Sequence, residues 1–246
     1  MEPALTRKLE HFTRLSPEDK SELTRIASER VRSLPAHQDV IREEEKPRVV
    51  NLVLEGWACR YKHLEDGRRQ IISFFMPGDL CDLNVFILKR MDHSIGTLTD
   101  VKIAEISQET LEAMGLAYPR ILQALWWDAL VSAAIQREWT VALGQRNATE
   151  RLAHLFCEIF CRLRCIGLTE GSSCPLPLTQ IELGDATGLS FVHINRTLQD
   201  LRRDGLIKLN RRRLVIPDLE ALMRVGLFNP NYLHLDHEGR NIDANR

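Results

Sequence analysis

Hydrophobic and polar positions give the chain two textures, short alternating runs first and long helical periods afterwards. Ser16-Pro17-Glu18-Asp19 supplies an N-cap, a proline at the first helical position and acids in the first turn, and predicts a short helix reaching about Ala27. From about Val31, short apolar runs are broken by turns. Val49–Leu54, Trp57–Tyr61, Gln70–Met76, Ser94–Leu98 and Val101–Ile106 predict strands, with turn signals at Glu65-Asp66-Gly67 and Pro77-Gly78-Asp79. Short strands at such spacing predict an antiparallel barrel or sandwich.

The period then changes. Ser107–Met114 predicts a short helix, and Pro119 to Gln145 predicts a long one, free of internal proline and of glycine until Gly144. About 26 residues of helix span ~39 Å. Ile121, Leu122, Leu125, Trp126, Trp127, Leu130, Val131, Ile135, Trp139 and Val141 give it more apolar surface than one face holds. Such a helix needs a second partner, and the simplest is its own copy in a two-fold dimer, with Leu125, Trp126, Val131, Ile135 and Trp139 as contact candidates. The alternative is a helix buried wholly within one domain. Arg146–Glu150 reads as a hinge between domains, and mostly helical sequence follows.

The chain has 246 residues, which at about 100–200 residues per domain favours two domains. Its 44% hydrophobic and 27% charged content excludes disordered, collagen-like and fibrous classes. Lys+Arg 33 against Asp+Glu 34 gives a net charge of −1, so any nucleic-acid partner must meet a local patch. No apolar run is long enough for a membrane span, and the charged start MEPALTRKLEHF lacks the form of a secretory signal, so a cytoplasmic protein without membrane contact is expected. In a reducing cytosol, Cys59, Cys81, Cys157, Cys161, Cys165 and Cys174 are expected to be thiols rather than a disulfide framework.

The strongest signal lies between Leu178 and Ile216. Thr179-Gln180-Ile181-Glu182 is a capping box, and Gly188 suits the left-handed residue that ends a helix. Ser190 then caps a second helix from Phe191 to about Asp204, giving helix, tight turn, helix. Ile194, Leu198 and Leu201 face the core at helical spacing, which leaves Val192, His193, Asn195, Arg196 and Gln199 outside. Leu206–Leu209, a turn at Asn210-Arg211-Arg212 and Leu214–Ile216 predict a small hairpin, or wing. Between Arg202 and Arg213 stand six basic residues (Arg202, Arg203, Lys208, Arg211, Arg212, Arg213) against one acid, Asp204, and this is the local patch that the overall charge conceals. Thr179, Gln180, Ser190, Phe191, Val192, His193, Asn195, Arg196, Gln199, Arg202, Arg211 and Arg212 are the DNA-binding candidates. Arg196 is suited to a bidentate guanine contact, and His193 and Gln199 are further base-reading candidates. A solvated Arg-rich hairpin on a domain that ignores DNA is the bland alternative.

The order of barrel, long helix and winged helix-turn-helix resembles the Crp/Fnr family of bacterial transcription regulators over nearly the whole chain. The matching residues are Gly56, Asp66-Gly67, Phe75 through Asp79, Ala104 through Ser107, and Thr179 through Arg196 with Gly184 and Gly188. The resemblance implies an α+β fold: an N-terminal antiparallel β-roll or barrel as sensor domain (1–118), a dimerisation helix (119–146), a DNA-binding domain (147–228) and a tail (229–246). It further implies a homodimer on an inverted repeat in double-stranded DNA, with RNA polymerase as another partner. The family's recognition helix usually carries Glu where Val192 stands. Glu accepts from cytosine N4 whereas Val touches only a thymine methyl, so a different half-site is expected.

Cyclic-nucleotide-binding members carry a phosphate cassette of Gly-Glu-Leu followed by Arg-Ser or Arg-Thr. Aligned on Gly78-Asp79, the Gly-Glu is replaced by Asp82-Leu83, and His93, before Ser94, takes the Arg position. A cyclic phosphate would lose its bidentate cation and gain a nearby carboxylate, so cyclic AMP binding is not expected. No cofactor is predicted and the effector is unspecified. His93 beside Asp92 reads as a hydrogen-bonded pair or as a sensor. The iron–sulfur branch carries an N-terminal cysteine cluster, and residues 1–58 contain no cysteine.

His154, Cys157, Cys161 and Cys165 lie along one stripe of the helix Glu150–Ile166, opposite Leu152, Phe156, Ile159 and Leu163. Cys157 and Cys165 stand ~12 Å apart along it, too far to share one ion at metal–sulfur bonds of ~2.3 Å. Packing against a second surface and a redox or metal sensor are the two readings, with the first favoured because free cysteine behaves as a small hydrophobe. No P-loop, dinucleotide fingerprint, Gly-x-Ser-x-Gly or His-Glu-x-x-His occurs, which argues against an enzyme. A ligand-binding module that does not act through DNA is the remaining rival.

Overall fold

The computed structural model describes residues 2–83 and 85–235. Helices α1 (Ala4–Leu9) and α2 (Pro17–Glu29) open the chain. Strands β1 (Val31–Leu34), β2 (Asp39–Ile41), β3 (Val50–Glu55), β4 (Ala58–His63), β5 (Arg69–Phe75), β6 (Leu80–Cys81), β7 (Ser94–Thr97) and β8 (Val101–Ile106) follow, with a 3-10 turn at Val85–Ile87. Helices α3 (Gln108–Ala117), α4 (Pro119–Gln145) and α5 (Ala148–Cys165) come next. The chain continues through β9 (Ser173–Pro175), α6 (Gln180–Thr187), α7 (Phe191–Arg203), β10 (Lys208–Asn210), β11 (Arg213–Val215), α8 (Leu219–Val225) and a 3-10 turn at Pro230–Leu233. The architecture is α+β, with N-terminal antiparallel sheets, a long helix and a C-terminal helix-turn-helix, as expected. Part of the expected tail, residues 236–246, lies outside the described residues.

Two compact units part within α4: of the described residues, 2–62, 73–83, 85–133 and 234–235 form the first, and 63–72 with 134–233 the second. The strands make two four-stranded sheets, ordered β1-β8-β3-β6 and β2-β7-β4-β5. In the first unit, β8 pairs antiparallel with β3, setting Leu52 opposite Ala104 and Val53 opposite Ile103. Along β8, Val101, Ile103, Ala104 and Ile106 are buried and only Lys102 is exposed, so both faces of the strand are largely covered. Leu52, Val53, Phe74, Ile95 and Ile103 are almost fully buried in this unit.

The charged N-terminus was expected only to lack a signal; it forms α1, with Leu5 and Leu9 buried. Lys8 Nζ is held between Asp79 Oδ1 at 2.7 Å and Asp128 Oδ1 at 2.6 Å. Burial would lower the Lys8 ammonium, but the two carboxylates outweigh it and hold it above the ordinary lysine range. Ser16 caps α2 as predicted, with Asp19 returning the bond in a capping box.

In the second unit α5 is buried nearly all round, because α7, α8 and the Pro230–Leu233 turn pack on it. Its start falls inside the segment read as a hinge. Asn147 accepts from the Thr149 and Glu150 amides and Glu150 returns the bond, so Ala148–Glu150 form the first helical turn. The tip of the β4–β5 hairpin belongs to this unit too, with Arg69 Nε donating to Asp185 at 2.8 Å and Gln136 Nε2 to the Ile72 carbonyl at 2.8 Å. The wing is a three-stranded sheet, ordered β10-β11-β9. Its outer strand β9, which sets Cys174 opposite Leu214, was not anticipated; three residues bounded by prolines and glycine give little periodicity to read.

Candidate nucleic-acid interface

Local bonds build the helix-turn-helix. Thr179 Oγ1 accepts from the Glu182 amide at 3.2 Å, and Glu182 Oε2 accepts from the Thr179 amide at 2.6 Å. Gly188 closes α6 at φ +66, in the left-handed region, with its amide bonded to the Gly184 carbonyl. A Cβ on Gly184 would stand 2.7 Å from the Leu189 carbonyl oxygen, so the turn needs glycine there as well. Ser190 Oγ caps α7, accepting from the His193 amide at 3.4 Å, and its hydroxyl lies 3.0 Å from His193 Nδ1.

The recognition helix α7 buries Ile194, Thr197, Leu198 and Leu201. Its other face presents Phe191, 57% exposed, and Val192, 74% exposed, beside exposed His193, Arg196 and Gln199 and half-buried Asn195. Arg196 makes no hydrogen bond or ion pair among the described residues, so its guanidinium fork is free for an outside acceptor. Asn195 Nδ2 donates to Gln180 Oε1 at 3.3 Å, and Gln199 Nε2 donates to Asn195 Oδ1 at 2.8 Å.

The six basic residues divide by partner. Arg203 is held by Asp200 at 2.8 Å and Asp204 at 3.3 Å, and Arg213 by Glu170 at 3.1 Å. Arg202, Lys208, Arg211 and Arg212 are exposed and have no ion pair among the described residues. Arg211 and Arg212 form the wing tip at φ +45 and +63, between the paired Asn210 and Arg213. Positive φ at both central residues marks the two-residue turn that normally takes Asn-Gly. Left-handed backbone costs an L-residue with a Cβ about 1–2 kcal/mol. Ile181 on α6, 63% exposed, joins this surface without having been singled out, as does Lys208, counted in the basic patch but not among the DNA-binding candidates. An apolar residue in the first turn of a capped polar helix was the available signal for Ile181.

The expected sensor positions fall in one part of the barrel unit. Asp82 Oδ1 accepts from Arg60 Nη2, while Asp82 Oδ2 lies 2.8 Å from His93 Nε2 and Asp92 Oδ1 lies 2.7 Å from His93 Nδ1. Burial would raise Asp82; the His93 hydrogen bond and the Arg60 charge outweigh it and hold the carboxyl below the ordinary range. Arg60, which sequence reading passed over, also sits 5.2 Å above the Phe75 ring. Ser94 Oγ accepts from the Glu43 amide at 2.9 Å. Gly78 sits in the turn against Ala4, and Asp79 is committed to the Met76 amide, at 2.7 Å, and to Lys8.

His154, Cys157 and Cys161 are buried and Cys165 half-buried. His154 Nδ1 lies 3.2 Å from the Gly226 carbonyl and Nε2 3.1 Å from the Tyr232 hydroxyl, so both ring nitrogens are engaged. Burial, aided by the Arg146 charge, lowers His154 to about 4. Burial also pushes the thiols up, Cys161 to about 11 and Cys174 to about 12, away from the reactive thiolate. Among the described residues no group of three or more His, Cys, Asp or Glu is arranged to hold a metal ion. The stripe opposite Leu152 and Phe156 is a second packed face of α5.

The five contact candidates on α4 separate. Leu125, Val131, Ile135 and Trp139 are buried within the chain, whereas Trp126 is 64% exposed. Trp139 spends its indole N–H on Glu158, at 3.1 Å from Oε2. The open apolar positions are Trp126, Leu130, Val141 and Leu143, of which the first three, at ~100° per residue, fall within about 60° of one another while Leu143 lies on another face. Apolar periodicity on a helix with two greasy faces cannot tell which face its own chain covers, and this is why the first choice of residues mixed them.

Residues 31–118 match the cyclic nucleotide-binding domain and 150–225 the Crp-like helix-turn-helix domain. The chain is 30% identical over 196 residues to the transcriptional activator protein FnrL of Cereibacter sphaeroides, covering 78% of each. It is also 30% identical over 205 residues to the transcriptional activatory protein AadR of Rhodopseudomonas palustris, covering 83% of this chain and 81% of that one. The solved structure of FixK2 from Bradyrhizobium japonicum has the same fold, with a TM-score of 0.70 at 24% identity over 79% of this chain and 96% of that one. Among the described residues no helix is long and apolar enough to cross a membrane.

Proposed function

The chain belongs to the Crp/Fnr family of DNA-binding transcription regulators, and we propose that it acts as a homodimer reading an inverted repeat in double-stranded DNA. The carrying observation is the outer face of α7, where Arg196 stands exposed without an internal partner beside an open Val192. Arg196 is assigned a guanine, through O6 and N7, and Val192 a thymine methyl. Gln180, Arg202, Arg211 and Arg212 are assigned phosphates, which fix register without reading sequence. The two copies meet along the α4 stripe Trp126, Leu130 and Val141, and two-fold symmetry then sets the half-sites about one helical turn apart.

The barrel is read as a domain that does not take cyclic AMP. Its own Asp82 already satisfies Arg60 and His93, and an entering phosphate would meet that carboxylate. RNA polymerase is the further partner and the cytoplasm the working compartment in this reading. The buried, raised thiols give a redox or metal switch no support.

Selection of duplexes from a random pool by the reduced protein without added ligand tests the proposal. An inverted repeat is expected, and Arg196→Ala should lose one column of it. Recovery of no motif, together with a flat dependence of duplex binding on salt, would overturn the DNA reading in favour of a non-DNA module.

A further inference from the structure

A chain of amides joins the two helices of the motif. Asn195 on α7 donates to Gln180 at the start of α6, at 3.3 Å, and accepts from Gln199 one turn further along α7, at 2.8 Å. Every amide has a donor end and an acceptor end, so the chain has a polarity and orienting one terminus orients the other. As arranged, Gln180 keeps its amino group free for an outside acceptor and Gln199 its carbonyl oxygen for an outside donor. The reverse order would exchange the two.

Contact with DNA decides between them. The first helix of such a motif crosses the backbone while the second lies in the major groove. Phosphate oxygens only accept, so Gln180 must turn its amino group outward, and that selects the polarity described. We propose that Asn195 is a positioning residue carrying this choice across the motif, so that Gln199 offers its carbonyl oxygen to the major groove and selects a base bearing an exocyclic amine. Adenine N6 and cytosine N4 are the donors there; the groove edges of guanine and thymine present acceptors and the thymine methyl. Neither amide alone would enforce this, because a free glutamine turns end over end and serves donors and acceptors equally. The inference rests on the DNA reading above.

Duplex selection with the full-length wild type and three variants tests it. Gln199→Ala identifies the column that Gln199 reads. In the wild type that column should hold adenine or cytosine, with guanine and thymine disfavoured about five- to tenfold, the scale of one hydrogen bond. Gln199→Glu, which only accepts, should keep that restriction. Asn195→Ala should relax the column towards no preference while the Arg196 column and the melting temperature stay as in wild type, since Asn195 is only half-buried. A wild-type motif left intact by Asn195→Ala, or a guanine or thymine column destroyed by Gln199→Glu, overturns the relay while the DNA reading stands. Absence of any motif in the wild type overturns both.

Discussion

In the barrel unit Arg60, Asp82, His93 and Asp92 form a closed set, Arg60 and His93 each facing a carboxylate of the same chain. On the helix-turn-helix, Arg196, Arg202, Arg211 and Arg212 are exposed, with no ion pair among the described residues. The same residue types therefore play opposite parts. Charges satisfied at home hold segments together and leave little to offer a ligand; charges left open await an outside anion. A net charge of −1 conceals the contrast, because it sums both kinds.

Breaking the closed set should give the largest effect. Asp82→Ala strands Arg60 in a partly buried site and leaves His93 with Asp92 alone, and loss of one partner of such a pair costs about 3–5 kcal/mol at full burial. A marked drop in melting temperature is expected; a variant that melts like wild type would mean the barrel charges are as idle as surface ones, and the contrast would fall.

The second histidine sharpens the comparison through pH. His154 is lowered by burial and by the Arg146 charge to about 4, against about 6.5 when unfolded. The folded chain thus binds fewer protons between those values. Its stability contribution is intact above pH 6.5 and is lost as pH falls to about 4, amounting to about 3 kcal/mol. Unfolding titrations should show that slope, and His154→Gln should flatten it. Asp82, held low, contributes above the ordinary carboxylate range and loses that contribution only at still lower pH.

On the open side, Arg196→Ala should leave the melting temperature alone and cost about 1–3 kcal/mol of discrimination at one base column. Quantitative binding to matched and mismatched duplexes measures it; equal loss on all sequences would make Arg196 a phosphate contact instead. The smallest effect is expected at the wing. Arg212→Gly relieves left-handed strain, offset by glycine's entropy in the unfolded chain, for a net gain of about 0.5 kcal/mol. The same change should lower the salt dependence of binding by about one phosphate. A stabilised variant with an unchanged salt slope would remove Arg212 from the interface.

The parts legible in the sequence are those whose causes lie within a few residues. Ser16 with Asp19, Thr179 with Glu182 and the Ser190 cap are bonds three positions apart, and the α7 core positions repeat at helical spacing. From them the helix-turn-helix, its outward residues and its basic wing followed directly, and the strands followed from alternation with turn residues between them. Other features required distant segments to meet. Lys8 lies 71 positions from Asp79, and Arg60 lies 22 from Asp82. The inward face of α4 was likewise undetermined, because Leu125 and Trp126 are equally apolar and differ only in what the folded chain lays against them. Hydrophobic pattern reports how much surface must be covered, whereas the choice of cover, and of which charge meets which, belongs to the packing of the whole chain.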